Sequence, residues 1–255
     1  MKIITWNVNG IRAVLQKGFD DFWQRENPDI LCLQETKAHP DQLLSMQVQP
    51  PGWSGHWSSA QRPGYSGVAT FCRETPLDVS RGIHIPKFDA EGRIVVTKFA
   101  AFTLFNIYFP NGGSGEERHK YKQEFLSRLQ QHLSKRLQSG EKLIVVGDYN
   151  VAYLDIDVYD PLTLANESGF LPEERAWMKG FLDGGFVDTF RHFHPTEAQR
   201  FSWWSYQQNG RAGNRGWRID HICVSRNLES QLVRREILDQ QHGSDHCPVV
   251  LELRA

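Results

Sequence analysis

The chain has 255 residues, 40% of them hydrophobic and 23% charged, a composition that can build a sizeable core and excludes a disordered segment. Its 29 Lys and Arg stand against 30 Asp and Glu, so a net charge of −1 excludes a protein that grips a polyanion by bulk charge. Any nucleic-acid surface must be local, or be supplied partly by bound cations.

The first element, Lys2 to Val8, is a short strand pattern and not a signal peptide, and it runs into Asn7 and Asn9. Gly18 to Glu26 follows as a helix. Asp29 to Gln34 is a strand that ends at Glu35, and Gly67 to Cys72 is another. Ile94 to Phe99 passes almost at once into Phe102 to Tyr108, which suits an antiparallel hairpin and not a βαβ crossover. That pair ends at Tyr108 and Asn111. Glu116 to Gln138 is a long helix, with Gly140 placed to stop it. Lys142 to Gly147 is a strand running into Asp148 and Asn150. Pro172 to Gly184 is a helix with Leu171, Trp177, Phe181 and Leu182 on its apolar stripe. Ile219 to Ser225 and Pro248 to Leu253 close the series as strands, with Asp245 and His246 just before the last.

Several of these strands are apolar at nearly every position, as strands covered on both faces are. Order and size predict a mixed α/β fold, two packed sheets with helices outside. No repeat, low-complexity run or linker interrupts it, so residues 1–255 are expected to form a single domain. Cys32, Cys72, Cys223 and Cys247 form no C-x-x-C pair and read as reduced core thiols. No apolar run reaches a membrane span. The expectation is a cytoplasmic protein with no membrane partner.

Polar residues collect where the strands end, and rigid sheets aim such side chains at a shared surface. Each Asn or Asp alone could be a turn former; their recurrence at so many ends points to one site. In Gly147-Asp148-Tyr149-Asn150 a carboxylate sits at the rim of an apolar strand, where burial raises its pKa toward that of a general base unless a cation holds it ionised. An Asx turn would use the same residues. Glu35 offers hard oxygen ligands that suit Mg²⁺ or Mn²⁺, and neighbouring Lys37 pairs with it, meets phosphate or is a solvated surface lysine. Asp220 interrupts an apolar strand, which needs a partner; His246 is the natural one and His221 the rival. Aromatic and basic residues interleave from Phe201-Ser202-Trp203-Trp204 to Trp217-Arg218, as stacking surfaces for nucleic acid do, although Trp203 and Trp204 cannot both face one side.

Taken in order, Trp6-Asn7-Val8-Asn9-Gly10-Ile11-Arg12-Ala13, Leu33-Gln34-Glu35-Thr36-Lys37, Gly64-Tyr65-Ser66-Gly67-Val68, Asn106 to Gly112, Gly147 to Ala152, Gly216-Trp217-Arg218-Ile219-Asp220 and Gly243 to Pro248 resemble the motifs of the exonuclease III family of apurinic/apyrimidinic endonucleases. The resemblance runs from the first strand to the last. It implies a four-layer αββα sandwich and a monomer. It implies a Mg²⁺-dependent enzyme, with Mn²⁺ as substitute, acting on double-stranded DNA that carries abasic sites or blocked 3′ ends. The reaction would be incision 5′ to the abasic site, leaving a 3′-hydroxyl, with 3′-to-5′ exonuclease or 3′-end trimming.

Carried over residue by residue, the resemblance makes Tyr108, Asp148, Asn150, Asp220 and His246 the catalytic set. Asn7, Asn9, Glu35, Asp148, Asn150, Asp245 and His246 surround metal. Asn111, Asn166, Trp203, Trp217 and Arg218 bind substrate, the two tryptophans as walls for the extruded sugar. The chain departs from the pattern at Asn9, where some members have Asp, and at Tyr153 and His221, where His and Tyr are commoner. It departs also in the acidic segment Val158 to Asn166 and in Gly112-Gly113-Ser114-Gly115, which lacks a cation. These departures predict weaker and more salt-sensitive DNA binding than in a basic relative.

Overall fold

The computed structural model describes residues 1–254. Two six-stranded sheets make its centre. One runs, edge to edge, Leu232–Ile237 (β13), Val249–Leu253 (β14), Lys2–Asn7 (β1), Ile30–Gln34 (β2), Val68–Cys72 (β4) and Ser54–Ser58 (β3). The other runs Asp78–Arg81 (β5), Ile94–Lys98 (β6), Thr103–Tyr108 (β7), Leu143–Asp148 (β8), Asp220–Ser225 (β12) and Phe186–Asp188 (β9). Each sheet holds one parallel pair at its middle, β1 with β2 and β7 with β8, and is otherwise antiparallel. A separate ribbon pairs Trp203–Trp204 (β10) with Gly216–Trp217 (β11).

Strand parity sorts the side chains into layers, because successive residues face opposite sides. Ile3, Ile30, Cys32, Leu104, Ile144, Val146, Ile222, Val224, Val249 and Leu251 meet in one cluster, the core between the sheets. Ile4, Trp6, Leu31, Leu33 and Phe71 face the other way and pack on Ile11, Val14, Phe19 and Phe22 of the helices Ile11–Leu15 and Phe19–Glu26. Phe105, Ile107, Leu143 and Val145 likewise cover Phe125, Leu126, Leu129 and Leu133 of Glu116–Gln138, with Met178 and Phe181 of Pro172–Asp183. The result is the expected helix–sheet–sheet–helix sandwich.

Parity continues beyond the apolar core. Asn7, Gln34, Tyr108, Asp148 and Asp220 each stand an even number of residues from an inward-facing apolar residue of the same strand, so all five project between the sheets at one end. Below them Gln34 Nε2 donates to Asn106 Oδ1 (2.7 Å) and to Thr5 Oγ1 (2.8 Å), while Asn106 Nδ2 donates to Ala69 O (2.9 Å). This buried amide bridge locks one sheet to the other directly beneath the site. All four cysteines are free and buried. Among the described residues, no helix is long and apolar enough to cross a membrane.

Candidate active site

Register lines up three functional groups. Tyr108 pairs with Asp148 across β7 and β8, and Asp148 pairs with Asp220 across β8 and β12. The facing sheet brings Asn7 at the end of β1, and Glu35 just beyond β2. Asn7 Nδ2 donates to Glu35 Oε1 and to Asp148 Oδ2, both at 2.9 Å, so one amide holds two carboxylates from different sheets. His246, just before β14, places Nδ1 2.9 Å from Asp220 Oδ2 and Nε2 3.9 Å from Asp148 Oδ2. His221 is excluded as the partner: it is wholly buried, with Nε2 2.8 Å from Val151 O and Nδ1 3.1 Å from the Arg218 guanidinium.

Asn150 does not follow Asp148 across a pleat. Its φ of 50° is left-handed, and its backbone N–H donates to Asp148 Oδ1 at 2.8 Å. The Asx turn that the sequence allowed is therefore present. The turn swings the Asn150 amide back over the carboxylate, where Nδ2 donates to Phe109 O (2.9 Å) and Oδ1 accepts from Asn111 Nδ2 (3.1 Å). Glu35, Lys37 and Asn9 are also left-handed. Lys37 Nζ lies 2.8 Å from Glu35 Oε2 and also donates to Asn9 Oδ1, which settles it as a partner of the site.

Burial pushes the Asp148 carboxyl up to about 7; the charges of Asp220 and Glu35 add to that, while His246 and the Asn150 N–H offset it. For His246, burial alone would lower the pKa, but Asp220, Asp148 and Asp245 outweigh it and hold the imidazole up at about 10. Burial also raises the Tyr108 phenol, against which the Arg93 guanidinium, 4.7 Å above its ring, pulls the other way. Burial opposes ionisation of Asp245, yet His246 and the donors Trp203 and Asn9 bring its carboxyl below the usual value.

A cleft of about 700 Å³ opens over these groups, lined at one end by Asn9, Glu35, Tyr108, Asn111, Asp148, Asn150 and His246. At the other end Tyr159, Leu164, Trp203, Trp217 and Ile219 form an apolar recess. Trp203 and Trp217 stand at 77° with centroids 6.3 Å apart, while Trp204 is buried in the main core. Asp245 joins the two ends: Oδ1 accepts from Asn9 Nδ2 (2.9 Å) and Oδ2 from Trp203 Nε1 (3.0 Å).

Glu35, Asp148 and His246 bring ligand atoms within 4.8 Å of one another. The oxygens of Glu35 and Asp148 are hard ligands that fit a divalent cation, and Asp245 lines the same cleft. Lys37 Nζ, 2.8 Å from Glu35 Oε2, offsets part of the carboxylate charge.

The structure corrects Arg218. Its side chain is wholly buried and points away from the cleft, bonding Asp157 through Nε (2.7 Å) and Asp188 through Nη2 (2.7 Å). It fastens the turn at 155–157 to the second sheet and cannot meet substrate. Asn166 is exposed and outside the cleft lining, where Thr163, Glu167 and Ser168 stand instead. Ser202 is a supporting residue the sequence did not mark: its Oγ donates to Asp220 Oδ2 (2.6 Å) and accepts the Asp220 N–H (3.0 Å). A serine between aromatic residues carries no pattern that would have singled it out.

Comparison with known proteins agrees with this geometry. The profile of the Endonuclease/Exonuclease/phosphatase family matches residues 4–246. An exodeoxyribonuclease of Bacillus subtilis is 40% identical over 98% of this chain and 98% of its own. The structure of an AP endonuclease from Archaeoglobus fulgidus superposes with a TM-score of 0.91 at 31% identity, covering 100% of both chains. That of a 3′ phosphatase from Neisseria bound to product DNA hairpin does so with a TM-score of 0.91 at 31% identity, again over 100% of each.

Proposed function

The chain belongs to the endonuclease/exonuclease/phosphatase family, and on that premise we propose that it is a DNA repair phosphodiesterase. It incises the backbone 5′ to an abasic site, leaves a 3′-hydroxyl and trims 3′ ends. One observation carries this reading. Tyr108, Asp148 and His246, the last backed by buried Asp220, line one cleft with a recess walled by Trp203 and Trp217. A recess of that kind suits a sugar that has lost its base, and a phosphoryl group beside it would lie over Asp148 and His246.

In this reading Glu35 and Asp148 hold Mg²⁺, or Mn²⁺ in its place, with Asn9 and Asp245 beside them. When bound, the cation offsets negative charge on the phosphoryl oxygens. Asp148 takes the proton of a water whose oxygen forms the new bond to phosphorus, and the bond from phosphorus to the 3′ oxygen breaks. Asn150 and Asn111 orient that water and the phosphate. His246 donates from Nε2 to a phosphoryl oxygen, with Asp220 at Nδ1 fixing the orientation of the ring. Tyr108 stands by the leaving 3′ oxygen and gives it its hydroxyl proton, so that it departs as the 3′-hydroxyl, and the proton taken by Asp148 returns through solvent to the phenolate. Asn7 acts from behind, setting the spacing of Glu35 and Asp148. A DNA repair substrate supports a cytoplasmic location.

Incubation with an abasic duplex and an undamaged one, with Mg²⁺ titrated in, tests the proposal. Internal incision confined to the abasic duplex, with any shortening of the undamaged one limited to its 3′ ends and all of it abolished by EDTA, is expected. Uncut abasic duplex at every Mg²⁺ and Mn²⁺ concentration, or cleavage that persists in EDTA, overturns it.

A further inference from the structure

Behind the catalytic loop, outside the cleft, an ion pair has no solvent exposure at either side chain. Lys122 comes from the helix Glu116–Gln138, and Glu174 from the first turn of Pro172–Asp183. Nothing in the proposed reaction uses it. Nor is stability its obvious purpose, since desolvating two charges cancels much of their attraction and an apolar pair would join two helices as well.

What distinguishes this pair is where its remaining bonds go. Lys122 Nζ donates to the main-chain carbonyl of Asn150 at 2.8 Å. The second oxygen of Glu174 accepts the main-chain N–H of Gly169 (2.5 Å) and of Leu171 (3.1 Å). One end of the pair therefore grips the peptide leaving Asn150, and the other grips the turn at Gly169. Those two segments touch. A Cβ at Gly169, whose φ is 100°, would lie 3.1 Å from Asn150 O and 3.3 Å from the Trp217 ring. Gly169 is thus wedged between the catalytic loop and a wall of the recess, and its carbonyl accepts from Ala152 N at 2.8 Å. Asn150 itself is left-handed, a conformation that costs a non-glycine residue about 1 kcal/mol and needs support from outside.

We propose that Lys122 and Glu174 are positioning residues for the reaction: the pair fixes the Asn150 peptide and the Gly169 turn against each other, and through them the Asn150 side chain. Charge is needed because both targets are main-chain groups, one acceptor and one pair of donors, that an apolar pair would leave unbonded. The proposal rests on the reading that Asn150 serves cleavage at an abasic site.

Glu174→Gln tests it with little change of shape. Whichever way the amide turns, an N–H group meets either the Lys122 ammonium or the N–H groups of Gly169 and Leu171. With saturating abasic duplex, kcat should fall about tenfold while KM stays within about twofold, since misplacement acts on the reacting geometry and not on DNA binding. Lys122→Met should act in the same direction. Asn150→Gly supplies the coupling measurement, because glycine keeps the left-handed backbone and lacks the amide. In single turnovers with enzyme in excess, Glu174→Gln on that background should cost less than about twofold, its target being gone. Equal losses on both backgrounds overturn the proposal, as does a loss that merely tracks a fall in Tm. Full activity of Glu174→Gln overturns it too, where the unmodified chain cuts abasic duplex. If the unmodified chain leaves that duplex uncut, the functional reading falls first and the pair's role with it. Should Lys122→Met fail to fold, the Glu174→Gln cycle alone decides.

Discussion

At the scale of single residues, the pair Asp220–His246 makes a prediction about pH. The His246 pKa is raised to about 10, so a proton donated by this imidazole is present through the neutral range and lost as pH rises through about 10. The alkaline limb of kcat/KM should fall there. Removing the charge in Asp220→Asn takes away the strongest of the carboxylates holding the proton, so that limb should move toward neutrality. A limb unmoved by Asp220→Asn would count against the dyad. Asp148 works in the opposite sense. Its carboxyl is raised to about 7, and a base must be ionised, so activity should climb as pH rises through that region. A bound cation favours the carboxylate, so raising Mg²⁺ should carry the acidic limb to lower pH. Asp148→Asn and His246→Ala should each lower kcat by about 100-fold or more. Most of these residues could be read from the sequence because strand ends with mixed polarity are conspicuous. Arg218 misled because a basic residue beside a tryptophan looks like a nucleic-acid contact, and sequence does not say that Asp157 and Asp188 wait behind it. His221 follows Asp220 directly on β12, so alternation turns it to the opposite face, where Val151 O and Arg218 take its nitrogens and His246 is left to meet Asp220.

At the scale of elements, strands at sheet centres were plain in the sequence and those at edges were not. Lys2–Asn7, Leu143–Asp148 and Asp220–Ser225 are apolar and covered on both faces, so their pattern stands alone. Asp78–Arg81 and Phe186–Asp188 are short edge strands whose polar residues resemble loops, and Ser54–Ser58 is half polar. Leu232–Ile237 hides its pattern behind Val233-Arg234-Arg235-Glu236, where the residue turned inward is Arg235, buried among main-chain carbonyls. An edge strand is specified by its neighbour's hydrogen bonds more than by its own hydrophobicity. Junctions between strand and loop are specified more sharply. Gly147, at φ 138°, lies so close to β7 that a Cβ would sit 1.9 Å from Ile107 O. Gly147→Ala should therefore spread β7 from β8 at the register that aligns Tyr108 with Asp148. A loss of about 2 kcal/mol in denaturant unfolding is expected, with cleavage reduced further than stability explains. Full activity in a stable Gly147→Ala chain would mean that this register does not set the site.

At the scale of the whole molecule, the open question is how a protein of net charge −1 holds DNA. Its cleft is lined by Glu35, Asp148, Glu167 and Asp245 against the cations Lys37, Arg215 and His246. Without a divalent cation the cleft does not attract a phosphate, so metal should be needed for binding as well as for cutting. Beside the recess, the segment holding Asp160 exposes Leu162, 90% accessible, where a lysine would be free to reach a flanking phosphate. Weak binding follows from this surface, but the salt dependence does not follow from net charge as first expected. The slope of log K against log salt scales with the number of phosphates neutralised, about −0.9 for each on duplex DNA, so a chain making few such contacts binds weakly and with a shallow slope. Leu162→Lys then gives a direct test. It should tighten binding of an abasic duplex at low salt and steepen the slope by about 0.9, while kcat stays near that of the unmodified chain. Tighter binding without a steeper slope would mean that the new lysine reaches no phosphate, and that the rim at 158–166 does not lie along the DNA.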